Sequence, residues 1–189
     1  MKPIANMTGE ELAAFVQEHL RPKQIDMVLS GGACVSIYSS NRYVSMDLDL
    51  INHRSVSPRR SVLREAMREM GFREEGRHFR HPDSEFFVEF PGGPLAVGEE
   101  PVKRVDERRT ATGILRLISP TDCVKDRLTW YYHDGDRQCL EQAILVAEEN
   151  DIDLAEVERW SQVEGKKDEF ERIRKIFPKI KASPQRGGG

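Results

Sequence analysis

Two aspartates one residue apart inside an apolar run, Met46-Asp47-Leu48-Asp49-Leu50, constrain this chain more than any other feature. Side chains alternate faces along a strand, so Asp47 and Asp49 share one face while Met46, Leu48 and Leu50 point to a core. Two carboxylates on one strand face repel each other, and a divalent cation relieves that repulsion. Upstream, Ser30-Gly31-Gly32 follows the apolar run 25–29. Paired glycines permit a tight turn, and the backbone N–H groups of a helix start suit a phosphate. Metal and phosphate together are the chemistry of nucleotidyl transfer.

The surrounding pattern predicts the elements that carry this pair. Thr8-Gly9-Glu10-Glu11 is a capping box, followed at helical spacing by Leu12, Phe15, Val16 and Leu20. Strands are expected over 25–29, 44–51, 86–90 and 114–118, and a helix over 33–40. Ser57-Pro58 reads as the start of a helix whose apolar face is Val62, Leu63, Ala66, Met67 and Met70, ended by Gly71. Residues 95–112 read as a charged loop with one short strand. From the second Ser-Pro start, Ser119-Pro120-Thr121-Asp122, the sequence is helical through Phe177. The expected fold class is therefore α/β (α+β): a small mixed sheet with flanking helices, then a C-terminal helical bundle. The expected division is 1–118, 119–178 and a disordered tail, 179–189. Trp130, Tyr131 and Tyr132 read as helix-packing aromatics with at most one exposed.

Composition excludes several classes. The chain has 189 residues, enough for one domain or two closely packed ones. Its net charge of −3 gives no broad electrostatic case for nucleic acid. No apolar run approaches the roughly 20 residues that span a membrane, and Met1-Lys2-Pro3-Ile4 does not open a signal peptide, so a cytoplasmic protein without a membrane partner is expected. The three cysteines, Cys34, Cys123 and Cys139, form no CxxC pair and read as buried thiols. His78 and His81 read as surface histidines rather than zinc ligands.

The run Ser30-Gly31-Gly32 … Asp47-Leu48-Asp49-Leu50 resembles the signature of the DNA polymerase β-like nucleotidyltransferase superfamily. Within it, Tyr38, Arg42 and Ser45 between the two halves of the motif look most like the bacterial abortive-infection nucleotidyltransferase toxins and their uncharacterised relatives. The resemblance implies a third carboxylate on a neighbouring strand, and Glu89 is the acid inside the run Phe86-Phe87-Val88-Glu89-Phe90. Asp47, Asp49 and Glu89 are then the expected catalytic and metal-binding residues. Ser30, Gly31, Gly32, Arg42 and Ser45 are expected at the nucleotide, and Lys125 and Arg127 compete for a further contact from the first C-terminal helix.

What this implies is an enzyme that uses Mg²⁺, with Mn²⁺ as an alternative cofactor, to move a nucleoside monophosphate from an NTP to tRNA or a protein. A toxin role with an antitoxin partner belongs to the same resemblance. Two other functions stay open: a non-catalytic nucleotide-binding or protein-interaction module on the same fold, and a transferase acting on a sugar or antibiotic. The last predicts an enclosed pocket between the two halves, whereas an RNA acceptor predicts an open positive groove.

Overall fold

The alternation that singles out Asp47 and Asp49 is realised as strand β2 (Asp47–Asn52), in which Leu48, Leu50 and Asn52 are buried and Asp47, Asp49 and Ile51 are half-buried. The computed structural model describes residues 2–54 and 56–177. Strand β1 (Met27–Ser30) is buried at every position and lies antiparallel to β2, with Ser30 opposite Asp49. Helix α1 (Gly9–Leu20) precedes it, and the Thr8–Glu11 capping box is present with both of its reciprocal hydrogen bonds. Helix α2 (Gly31–Tyr38) begins directly after β1.

The middle of the chain adds α3 (Arg60–Glu69), β3 (Arg73–Glu75), β4 (His78–Arg80) and β5 (Phe87–Glu89). A two-stranded ribbon, β6 (Ala96–Val97) with β7 (Glu100–Pro101), leads to β8 (Val105–Arg109) and β9 (Ile114–Ile118). The seven-stranded sheet runs β3-β4-β5-β2-β1-β9-β8. It is mixed: β1 is parallel to β9 and β2 to β5, and the remaining neighbours are antiparallel. Helices α4 (Pro120–Asp134), α5 (Arg137–Glu149), α6 (Leu154–Val163) and α7 (Lys167–Ile173) complete the described chain. Ser119 and Asp153 cap α4 and α6 as their sequences predict. This is the expected mixed sheet with flanking helices and a helical C-terminal part. The boundary expected after residue 118 falls between β9 and α4, whose buried side chains belong to one hydrophobic cluster running from Met7 to Phe177. The expected tail, 179–189, lies outside the described residues. Among the described residues no helix is long and apolar enough to cross a membrane.

Four expectations need correction. Strand β2 starts at Asp47 rather than residue 44, because its partner β5 supplies pairing only from Phe87 onward. Met46, expected in the core, is 39% exposed as a result. Helix α3 starts at Arg60, not at Ser57-Pro58; its N-cap is Arg59, whose side chain caps nothing. Burial of Leu63, Ala66 and Met67 therefore fixes this helix, while Val62 faces solvent. Residues 95–112 hold three short strands instead of one, and β8 forms an edge whose charged residues face solvent. The hairpin β3–β4 was hidden by its charge: Arg73, Glu75 and Arg80 are exposed and leave little apolar alternation to read. Of the three α4 aromatics, Trp130 is exposed and Tyr132 is buried, sharing a hydrogen bond with Ser161 at 3.0 Å.

Strand β1 and strand β9 share a single register pair, Leu29 with Leu117, so Arg116 takes another backbone partner. The buried side-chain amide of Gln17 on α1 supplies it, accepting from Arg116 N at 2.7 Å and donating to Arg116 O at 2.8 Å. Gln17→Leu leaves both backbone groups without these partners. It is expected to lower stability by roughly 2 kcal/mol, measured by urea unfolding, without changing the fold seen by circular dichroism.

Candidate metal and nucleotide site

Register brings the acids together. The parallel pairing of β2 and β5 sets Asp49 opposite Glu89, and Asp47 lies two residues along on the same face. The antiparallel pairing of β4 and β5 sets His78 opposite Glu89 as well. One ligand atom from each of Asp47, His78 and Glu89 falls within a group no wider than 4.8 Å. Asp49 lies on the β1 side of this group, against the start of α2.

The first glycine of the motif explains that placement. Gly31 has φ +69°, in the left-handed region that costs a side chain strain, and a Cβ built there would sit 2.3 Å from Asp49 Oδ2. The carboxylate of Asp49 occupies the space that a side chain would need. At Gly32 a Cβ would meet Ser45 Oγ at 3.2 Å. Ser45 Oγ in turn accepts from Asp47 N at 3.2 Å, and Ser45 N donates to Ser36 Oγ on α2 at 2.8 Å. Ser30 is buried at the N-cap of α2, where its side chain makes no capping bond. The structure thus gathers Ser30, Gly31, Gly32 and Ser45 around Asp47 and Asp49.

The charges in this site are unevenly matched. Burial, then the neighbouring Asp47, Glu89 and Asp126 carboxylates, push the Asp49 carboxyl up to about 7. Burial and Glu89 also raise Asp47, with His78 and Arg77 acting the other way. Glu89 has Arg77 Nε at 3.3 Å and His78 Nδ1 at 3.4 Å. Among the described residues, Asp47 Oδ1 and His78 Nδ1 are buried with no hydrogen-bond partner; the 3.4 Å approach of His78 to Glu89 lacks hydrogen-bond alignment. An orphaned buried acceptor on Asp47 and the convergence of Asp47, His78 and Glu89 fit a divalent cation; Asp49 lies beside this group rather than within it.

Three other expected nucleotide contacts lie in ion pairs. Arg42 is exposed and pairs with Glu148 and Glu149 on α5. Lys125 is buried between Asp122 at 2.7 Å and Glu156 at 3.2 Å. Arg127 pairs with Asp126 and donates to Gln142 at 3.3 Å. Tyr38 donates to Ile118 O at 2.7 Å, which ties α2 to β9. Arg77 and Asp126 are not among the residues that the sequence singles out, and His78 is expected there only as a surface histidine. His78 was read as a surface group because its partner, Glu89, belongs to a strand eleven residues away whose register no single-sequence pattern reveals. The alternation His78-Phe79-Arg80, with Phe79 fully buried, was the available signal.

The chain matches no protein-family model and no curated protein. Among solved structures it is similar to an antigenic nucleotidyltransferase-like protein from Paracoccidioides brasiliensis, with 16% identity and a TM-score of 0.57 over 92% of this chain and 94% of that one. It also aligns with the antibiotic-resistance factor ANT(2'')-Ia in solution, at 15% identity and a TM-score of 0.47 over 85% of this chain and 90% of that one. The fold is that of a nucleotidyltransferase-like protein.

Two outcomes follow from the packing of Asp49. Gly31→Ala combines left-handed strain with a clash and is expected to cost about 2 kcal/mol in denaturant unfolding. Asp49→Asn tests the raised carboxyl. The folded-state value lies above the unfolded 3.8, so the native state holds the proton more tightly, and stability is lost as pH rises from 3.8 through about 7. Without divalent cations, Asp49→Asn should therefore raise Tm most at pH 8, on the order of 5 °C, and leave it unchanged below pH 4.

Proposed function

We propose that this protein is a metal-dependent nucleotidyltransferase that moves a nucleoside monophosphate from an NTP to an acceptor hydroxyl. The observation that carries the reading is the convergence of Asp47, Asp49 and Glu89 on one sheet face at the mouth of the Gly31-Gly32 turn. A bound divalent cation supplies charge neutralisation for the triphosphate. Asp47, Asp49 and Glu89 hold it and share its charge. The backbone around Gly31 and Gly32, free of side chains, receives the phosphates at the start of α2. The acceptor oxygen attacks the α-phosphorus, the bond to the β-phosphate bridging oxygen breaks, and pyrophosphate leaves. The acceptor proton passes to a carboxylate of the set. Positioning and charge matching account for most of such a rate.

A specific observation bears on the acceptor. A cavity of about 690 Å³ lies between the Glu100–Asp106 stretch and helices α4 to α6. Its lining carries Glu100, Asp106, Glu149, Asp151 and Asp153 beside Lys103 and Arg104. That size suits a small molecule, and the excess of acid suits a cationic one rather than a phosphate backbone. None of Asp47, Asp49, Glu89, Gly31 and Gly32 lines this cavity, so a sugar or antibiotic stands beside tRNA or protein as an acceptor class. Transfer to tRNA or protein, with the toxin–antitoxin role, rests on the Tyr38, Arg42 and Ser45 resemblance.

The test offers the purified protein each α-labelled NTP with Mg²⁺ or Mn²⁺, and as acceptors an amino-sugar panel, total tRNA and lysate protein. Label is expected on one of these acceptors. Asp47→Ala should lower transfer by at least about 100-fold while leaving the far-ultraviolet spectrum intact. No label on any acceptor, together with no NTP binding by calorimetry, refutes the transferase reading.

A further inference from the structure

The acids expected to bind metal are joined by a histidine that the carboxylate motif does not contain. We propose that His78 is itself a metal ligand, so that Asp47, His78 and Glu89 form a mixed oxygen–nitrogen site that selects Mn²⁺ over Mg²⁺. The inference deepens the proposed function and rests on its metal site.

Three observations carry it. First, the register of two different pairings places these residues together: β2 with β5 brings Asp47 and Glu89 to one face, and β4 with β5 brings His78 opposite Glu89. Their ligand atoms already lie within 4.8 Å of one another. Neighbouring ligands on one ion with bonds of about 2.2 Å lie roughly 3–3.8 Å apart, so the side chains must draw together by about 1 Å or more to close on a single ion. Second, Asp47 Oδ1 and His78 Nδ1 are buried without a hydrogen-bond partner among the described residues, one oxygen and one nitrogen turned away from solvent in the same cluster. Third, the His78 ring is fixed. It packs edge-on against Phe87 with ring centroids 4.7 Å apart, and Phe79, the next residue, is fully buried. A held imidazole loses little freedom on ligation.

Arg77 acts as the counter-cation of the same cluster. Its guanidinium lies 3.3 Å from Glu89 Oε2, and its Nε donates to His78 Nε2 at 3.3 Å, so ligation through Nδ1 requires the imidazole proton to move from Nδ1 to Nε2 and the Arg77 bond to break. Its side chain is 74% exposed, so it is free to swing out when a divalent cation takes over the charge of Glu89. Donor type decides which cation that is. Mg²⁺ prefers oxygen ligands and near-ideal octahedral geometry, whereas imidazole nitrogen raises affinity along the first-row series. A site with one nitrogen among its donors therefore favours Mn²⁺ over Mg²⁺.

Electron paramagnetic resonance of the full-length protein titrated with Mn²⁺ tests this directly. The expected result is a bound Mn²⁺ whose echo envelope shows ¹⁴N modulation from a directly coordinated imidazole. His78→Gln should abolish the modulation and weaken Mn²⁺ binding by about 10–100-fold while changing Mg²⁺ binding less than about threefold. Arg77→Ala should tighten Mn²⁺ binding. Bound Mn²⁺ without nitrogen modulation in the wild type, or no bound Mn²⁺ at all, overturns the inference even if His78→Gln fails to fold. The two readings fail separately. Nucleotide transfer with a nitrogen-free Mn²⁺ spectrum removes His78 and keeps the transferase. A nitrogen-coupled Mn²⁺ site in a protein that transfers no label keeps His78 and removes the transferase.

Discussion

Like-charge crowding on one face of a mixed sheet is the constraint around which this structure is arranged. Asp47 and Asp49 share a strand face, Glu89 joins them from the parallel neighbour, and Asp126 adds its field from α4. Such a concentration of carboxylate disfavours ionisation and burial together. The chain meets it with space at Gly31, with the Arg77 and His78 pair beside Glu89, and with a geometry open to a divalent cation. The turn conformation of Gly31 and the position of Asp49 are two sides of one packing solution.

The central sheet depends on side chains that stand in for backbone. Strand β9 carries the chain from the edge strand β8 to the first long helix, yet pairs with β1 at one register position. Gln17 extends that pairing from α1, and Tyr38 reaches Ile118 from α2. These bonds hold the base of α4 relative to β1.

Much of the frame was legible in the sequence because its signals are local. The Thr8 capping box and the Ser119 cap each depend on residues within a few positions of one another. The strand Asp47–Asn52 was legible because alternation requires no knowledge of the partner. The start of α3 was misread since Ser57-Pro58 looks like a cap, while the helix is fixed by distant burial of Leu63 and Met67. The half-burial of His78 against Glu89 has the same kind of origin. Its chemistry comes from a cross-strand neighbour, and cross-strand register is a property of the folded sheet. Lys125 and Arg127 carry the charge expected of phosphate contacts, and each is held both by an acid on its own helix, Asp122 or Asp126, and by a residue on another helix, Glu156 or Gln142, which the local sequence does not reveal.

The connection between α2 and β2 is fastened at both ends and in its middle. Asn150 donates to Tyr38 O at 2.7 Å, Arg42 is clamped by Glu148 and Glu149, and Ser45 bonds to Asp47 N. All three fastenings except the last run to the end of α5. The loop is therefore a strut of fixed length linking the C-terminal helices to the first acid of the site. Its residue count is a dimension of the active region. A change in the number of residues between Gly32 and Asp47 would either break the bonds to α5 or move Asp47 relative to Gly31.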